Sequence, residues 1–156
     1  MHTCVVDTPN PTTLPDSPPI PRTLLEAVSF YADPDVATRT LSAVRWGNAA
    51  ECQHCHARDR HSYISTRRIW KCRACRKQFS PKAGTIFEDS PIGLDRWLIA
   101  IWMVANSDQR ISSYRLHRLL GVTQTTAQFM LRRIRLAIDV MELSHEGSAA
   151  AAAQSQ

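Results

Sequence analysis

The amino-acid sequence predicts a small α+β protein, a four-cysteine zinc ribbon on a short antiparallel sheet followed by a helical domain of helix-turn-helix type. Three observations lead there. Two Cys-x2-Cys pairs, Cys52-Gln53-His54-Cys55 and Cys72-Arg73-Ala74-Cys75, stand sixteen residues apart, a spacing used by structural zinc sites. The residues between and after them carry short strand-like runs. Beyond residue 93, apolar residues recur at helical spacing, punctuated by one glycine. The chain has 156 residues, enough for one compact domain or two very small ones.

Six prolines lie in the first 21 residues among Thr, Asp and Ser, a composition that buries too little apolar area to offset chain entropy. Residues 1–21 are therefore expected to be a disordered leader, with Cys4 an ordinary reduced thiol. Residues 22–46 form a short helical lead-in: Asp33 caps a helix, Pro34 takes its first position, and Ala37, Leu41 and Val44 recur on one side. The ribbon spans 47–82. Its strands are expected at His61–Ser65, Ile69–Lys71 and Lys77–Ser80, with Tyr63, Trp70 and Phe79 as apolar cover rather than as a stacking platform for bases.

Residues 83–143 read as helices. Leu94–Asn106 is apolar on most sides, with Leu94, Trp97, Leu98, Ile101, Trp102 and Val104, so it should be a central core helix. Ser112 and Ser113 can cap a second helix through Leu120; Gly121 breaks it. Thr123 can cap a third, running to about Leu143 with a stripe of Ala127, Leu131, Ile134 and Ile138. Residues 144–156, ending GSAAAAAQSQ, carry too little to pack and are expected to be a disordered low-complexity tail.

Two residues between thiolates let a tight turn aim both sulfurs at one ion, and two such knuckles make a closed tetrahedron. Cys52, Cys55, Cys72 and Cys75 are thus the expected ligands of a structural zinc, since four thiolates leave no open position for catalysis. A pair of redox dithiols is disfavoured because no thioredoxin-like βαβ pattern surrounds either motif. His54, His56 and His61 are candidate substitute ligands, but with four cysteines in register they read as surface or DNA-facing imidazoles. The longest apolar run is the nine residues Trp97–Ala105, against roughly 20 for a bilayer span. With no export signal, the expected location is the cytoplasm, in association with the nucleoid if the partner is DNA, and no membrane partner is expected.

The formal charge is +5 and the pI about 9.2, but the charge is unevenly placed. Residues 1–51 sum to −3, residues 52–82 to +8 and the remainder to zero. Arg67, Arg68, Lys71, Arg73, Arg76 and Lys77 crowd the ribbon, which favours nucleic acid as the partner. Ser113–Arg133 has the spacing of a helix-turn-helix, with Leu116, Leu120, Val122, Ala127 and Leu131 filling the angle. Its second helix would offer Gln124, Thr125, Thr126, Gln128 and Arg132 to base edges and phosphates. His117 stands where many such units place a small residue.

From Arg45-Trp46 through CQHC and CRACRKQFS to GTIFEDSPIGLDRW and LHRLLGVTQTTAQFMLRRIR, roughly residues 24–140, the chain resembles the N-terminal part of bacterial insertion-sequence transposases of the DDE type that begin with a zinc ribbon. The resemblance implies that ribbon and helices bind DNA, that the four cysteines hold zinc, and that a separate RNase-H-like domain with an acidic triad cuts and joins strands with divalent metal. No catalytic acid carries over: Asp89, Asp95, Asp108, Asp139, Glu142 and Glu146 read as caps and surface charges. Gln53 stands where the family has proline, His56 where it has the glycine that tolerates positive φ, Gln128 where an aromatic is common and Gly93 where proline is common; the first knuckle is expected to be strained or reshaped. The expected function is zinc-dependent binding of transposon-end-like double-stranded DNA by a truncated, non-catalytic piece of a transposase. Two alternatives are a subunit of an active transposase whose nuclease partner is encoded separately or by frameshift, and a protein-docking module whose Leu-rich helices make a homodimer.

Overall fold

The computed structural model describes residues 21–153 apart from Asn48, Asp59 and Asp108, with side chains described through Met141. Cys4 and most of the expected leader lie outside these residues, as does the end of the expected tail. Pro21, counted above with the leader, belongs to the fold: it is buried, and its carbonyl accepts from the Trp102 indole N–H at 2.9 Å.

Helix α1, Leu24–Tyr31, lies within the expected helical lead-in but is a separate helix that the sequence reading does not single out. Its signal is Thr23-Leu24-Leu25-Glu26, in which the Thr23 hydroxyl accepts from the Glu26 N–H at 3.2 Å, a helix start of the T-x-x-E kind. Helix α2, Pro34–Trp46, begins as the sequence indicates, the Asp33 carboxylate accepting from the Asp35 N–H. Its buried face is Ala37, Thr38, Leu41 and Ser42, whereas Val44 is 78% exposed. Two hydroxyls can sit inside because each donates one turn back, Thr38 to the Pro34 carbonyl at 2.8 Å and Ser42 to the Thr38 carbonyl at 2.7 Å, leaving no orphaned donor.

Strands β1 (His61–Ile64), β2 (Ile69–Cys72) and β3 (Gln78–Phe79) form one antiparallel sheet in that order. The register sets His61 opposite Cys72, Tyr63 opposite Trp70, and Trp70 opposite Phe79. Alternation along the strands therefore puts His61, Tyr63, Trp70, Cys72 and Phe79 on one face, with Ser62, Lys71 and Gln78 on the other. Trp46, at the end of α2, covers the first face edge-on, its ring centroid 5.4 Å from that of Trp70 and 5.5 Å from that of Phe79. The aromatic cover expected from the sequence is present, and Tyr63 adds a hydrogen bond from its hydroxyl to Asp35 at 3.0 Å.

The larger core belongs to α3 (Leu94–Ala105), α4 (Ser113–Leu120) and the start of α5 (Gln124–Ala153). Trp97, Leu116 and Met130 are its largest fully buried side chains. Ser112 caps α4 by accepting from the Arg115 N–H, and the Thr123 hydroxyl accepts from the Thr126 N–H at 3.1 Å at the head of α5. Between them Gly121 is left-handed, φ +62°. Gly121→Ala should lower stability by about 1 kcal/mol, the cost of a Cβ in that conformation, because nothing lies within 4 Å of the new methyl to clash. Urea unfolding measures it, and an unchanged midpoint would contradict this account of the turn.

Helix α5 continues to Ala153 rather than ending near Leu143, so the expected tail is helical over 144–153. An existing helix needs no new nucleus to lengthen, and Ala149–Ala153 are the residues that most favour extension. The expected stripe also shifts: Met130 is fully buried while Ile138 is 37% exposed.

Residues 80–90 cross between ribbon and helices as a series of turns held from several sides. The Arg45 guanidinium of α2 donates to the carbonyls of Pro81 and Ala83. The Gln53 amide reaches Ser80 and Ala83 from the first knuckle, and Arg133 of α5 donates to the carbonyls of Ile86 and Glu88 at 2.8 and 3.1 Å. The Lys82 ammonium turns inward to the Ser90 carbonyl at 3.0 Å.

Candidate metal centre

The Sγ atoms of Cys52, Cys55, Cys72 and Cys75 all lie within 4.8 Å of one another, with Cys52 to Cys75 and Cys55 to Cys72 both 3.6 Å. A thiolate tetrahedron with metal–sulfur bonds of about 2.3 Å has edges near 3.8 Å, so the set fits one four-coordinate ion. Cys52 and Cys72 are buried and Cys55 is exposed. His54 and His56 are exposed and His61 is buried; none of the three joins the group.

Each knuckle is closed by backbone hydrogen bonds. In the first, the His56 N–H donates to the Cys52 carbonyl and the Cys52 N–H to the Ala57 carbonyl. In the second, the Cys72 N–H donates to the Lys77 carbonyl at 2.9 Å. The residue after each pair takes a left-handed backbone, His56 with φ +57° and Arg76 with φ +62°. His56 thus adopts the conformation that a glycine would enter without penalty, as the departure from the family pattern led us to expect. Its ring meets Glu51 at 3.0 Å, and Arg58 meets the same carboxylate at 2.7 Å; these two bonds hold the Glu51 carboxyl below its ordinary value.

The sulfurs differ electrostatically. Backbone N–H groups of Cys75 and Ala74 aim at Cys72 and lower its thiol to about 6. Cys55 accepts from the Ala57 N–H, which favours its thiolate, but desolvation and the neighbouring Cys75, Cys72 and Cys52 sulfurs outweigh this and push it up to about 12. The sulfurs thus favour ionisation unequally, Cys72 most and Cys55 least, and a divalent cation must expel protons to use all four. Metal affinity should accordingly rise from pH 6 to pH 8, by about tenfold per unit for each proton displaced. Competition with a chromophoric chelator at several pH values measures this, and a flat profile would contradict it.

The basic residues read as DNA contacts separate into groups. Lys71, Arg73, Arg76 and Lys77 are exposed, as is Arg67, which reaches the Gln78 side chain at 3.4 Å. Arg68 is committed elsewhere: it pairs with Asp35 of α2 at 3.2 Å and sits in the β1–β2 turn with φ +53°. On α5, Gln124, Thr125, Gln128 and Arg132 are exposed. Thr126 is half-buried, its hydroxyl 2.8 Å from that of Thr123 in the cap. Gln128 and Arg132 line a groove with Ser112, Ser113 and Arg135. His117 fits the close packing by bridging the turn, its Nδ1–H donating to the Val122 carbonyl at 2.7 Å. Asp95 lies in the first turn of α3, and Asp139 is exposed on α5.

Residues 33–78 match the model of a transposase zinc-ribbon domain of the IS1595 type. That span carries a transposase-type zinc ribbon. It begins at the N-cap of α2 and so takes in Asp35, Arg45 and Trp46 together with both knuckles. The chain is also similar to a protein of Halobacterium salinarum described as an uncharacterized protein in the transposable element ISH50, at 27% identity over 113 residues. That similarity covers 71% of this chain and 38% of the relative, so the chain spans well under half of the relative's length. No solved structure matches the chain. Among the described residues no helix is long and apolar enough to cross a membrane.

Proposed function

We propose that the chain is a zinc-dependent module binding double-stranded DNA, equivalent to the DNA-binding part of an insertion-sequence transposase and without a catalytic role of its own. The observation that carries the reading is the set of five exposed cations, Arg67, Lys71, Arg73, Arg76 and Lys77, on and beside a sheet closed by four cysteines, none of them paired with an acidic side chain among the described residues. Cations so close together on a small module add their potentials, and a polyphosphate backbone is the partner that uses such a field. The zinc is the tetrahedral ion that four sulfurs at this separation favour.

Helices α4 and α5, with the turn at Gly121, supply a second contact. The N-terminal residues of α5, Gln124, Thr125 and Gln128, would face base edges, with Arg132 on phosphate, as in helix-turn-helix recognition. The similarity to a transposable-element protein supports a transposon end as the target. If the five ribbon cations each neutralise one phosphate, log affinity should fall with log salt at a slope near −4.5. Fluorescence anisotropy with a labelled duplex measures the slope, and a value near zero would remove the nucleic-acid reading.

A further inference from the structure

His61 is 9% exposed, and packing alone does not account for an imidazole there. Its Nε2 lies 2.8 Å from the Ala57 carbonyl; a carbonyl only accepts, so Nε2 carries the proton. Nδ1 is buried and without a hydrogen-bond partner among the described residues, an arrangement that is unfavourable in itself. Phenylalanine would fill the same space and keep the edge contact with Phe79, whose centroid is 5.0 Å away. What histidine adds is the single N–H aimed at Ala57.

Ala57 is the hub of the first knuckle. Its carbonyl also accepts from the Cys52 N–H at 3.0 Å, and its own N–H donates to the Cys55 sulfur. The His61 backbone stands opposite Cys72 in the β1–β2 register, so one residue joins the first knuckle to the strand entering the second. Among the described residues no side chain clamps the second knuckle in this way, and its Cys72 sulfur takes two backbone donors directly. Both knuckles carry a side chain rather than glycine at the left-handed position, His56 in the first and Arg76 in the second, but His61 buttresses the first alone among the described residues.

We propose that His61 is a positioning residue of the metal centre: its Nε2–H holds Ala57 so that Cys52 and Cys55 are presented together to the cation. The proposal rests on the reading of the four cysteines as a zinc site, and it concerns affinity and geometry rather than DNA contact. Groups that orient metal ligands in this way typically alter affinity 10–100-fold when removed.

The test uses the full chain loaded with zinc, and separately with cobalt as a spectroscopic probe, comparing the unaltered protein with His61→Phe, His61→Gln and His61→Asn. A glutamine amide nitrogen can occupy the place of Nε2, whereas asparagine mimics Nδ1. Expected results are one zinc bound by the unaltered chain, a loss of about 10–100-fold in affinity with an altered cobalt spectrum for His61→Phe, substantial recovery of both by Gln, and none by Asn. Should His61→Phe fail to fold, the Gln and Asn pair still decides. The proposal is overturned if His61→Phe binds zinc as tightly as the unaltered chain, or if Gln and Asn are equally impaired. If the unaltered chain takes up no metal, the zinc reading falls first and this proposal with it.

Discussion

Cys72→Ser is expected to leave the ribbon metal-free and unfolded while the helices of the larger core remain. The small core around the sheet consists of Ala50, Cys52, Trp70, Cys72 and Phe79, so two of its five buried residues are themselves candidate ligands. Strands of four, four and two residues cannot supply enough apolar burial to order the loops around them. Structural zinc contributes roughly 10–16 kcal/mol in comparable modules, as much as the whole stability of many domains. Cys72 is the sulfur best prepared to ionise, and serine at that place neither ionises nor bonds zinc strongly. Intact mass under gentle conditions should show the zinc lost. Emission from Trp46 and Trp70 should shift to the red, and most helical circular dichroism should persist. Wild-type zinc affinity in this variant would refute the four-sulfur site.

Combined replacement of Arg67, Lys71, Arg73, Arg76 and Lys77 by alanine is expected to abolish most DNA binding at physiological salt. With a slope near −4.5, raising salt from 50 to 200 mM should weaken the unaltered protein about 500-fold; the fivefold variant should lose nearly all of that dependence along with its affinity. These side chains are exposed and contribute little to folding, so zinc content and the unfolding midpoint should hardly move. Arg68→Ala is the informative control. Because Arg68 is held by Asp35, its loss should loosen the packing of α2 on the ribbon more than it changes the salt slope. A fivefold variant that still binds duplex DNA with the original slope would place the contact elsewhere.

The features legible in the sequence are those with a local cause. Cysteine spacing fixed the knuckles, Asp33, Ser112 and Thr123 marked three helix starts through caps that the structure contains, and Gly121 marked the left-handed turn. The features that escaped depend on neighbours distant along the chain. Val44 fits an apolar stripe, yet the buried face of α2 is half hydroxyl because Thr38 and Ser42 satisfy themselves one turn back. Thr126 and Arg68 have the right chemistry for DNA but are engaged, one within a cap and the other in an ion pair with Asp35, 33 residues earlier in the chain. His61 reads from the sequence as a substitute ligand or a surface or DNA-facing ring, since nothing local shows that it is buried with its N–H reaching the Ala57 carbonyl. The extension of α5 was missed because an alanine-rich end looks unsupported until a helix already precedes it.

The strap of residues 80–90 has a consequence for recognition. Arg45 grips it from α2 and Arg133 from α5, so the segment between sheet and helices is tied down from both ends. Were both sheet and helices to touch a duplex, as proposed, the protein would set the interval between the two contacts, and a target altered only in that length should bind more weakly even with every contacted base intact.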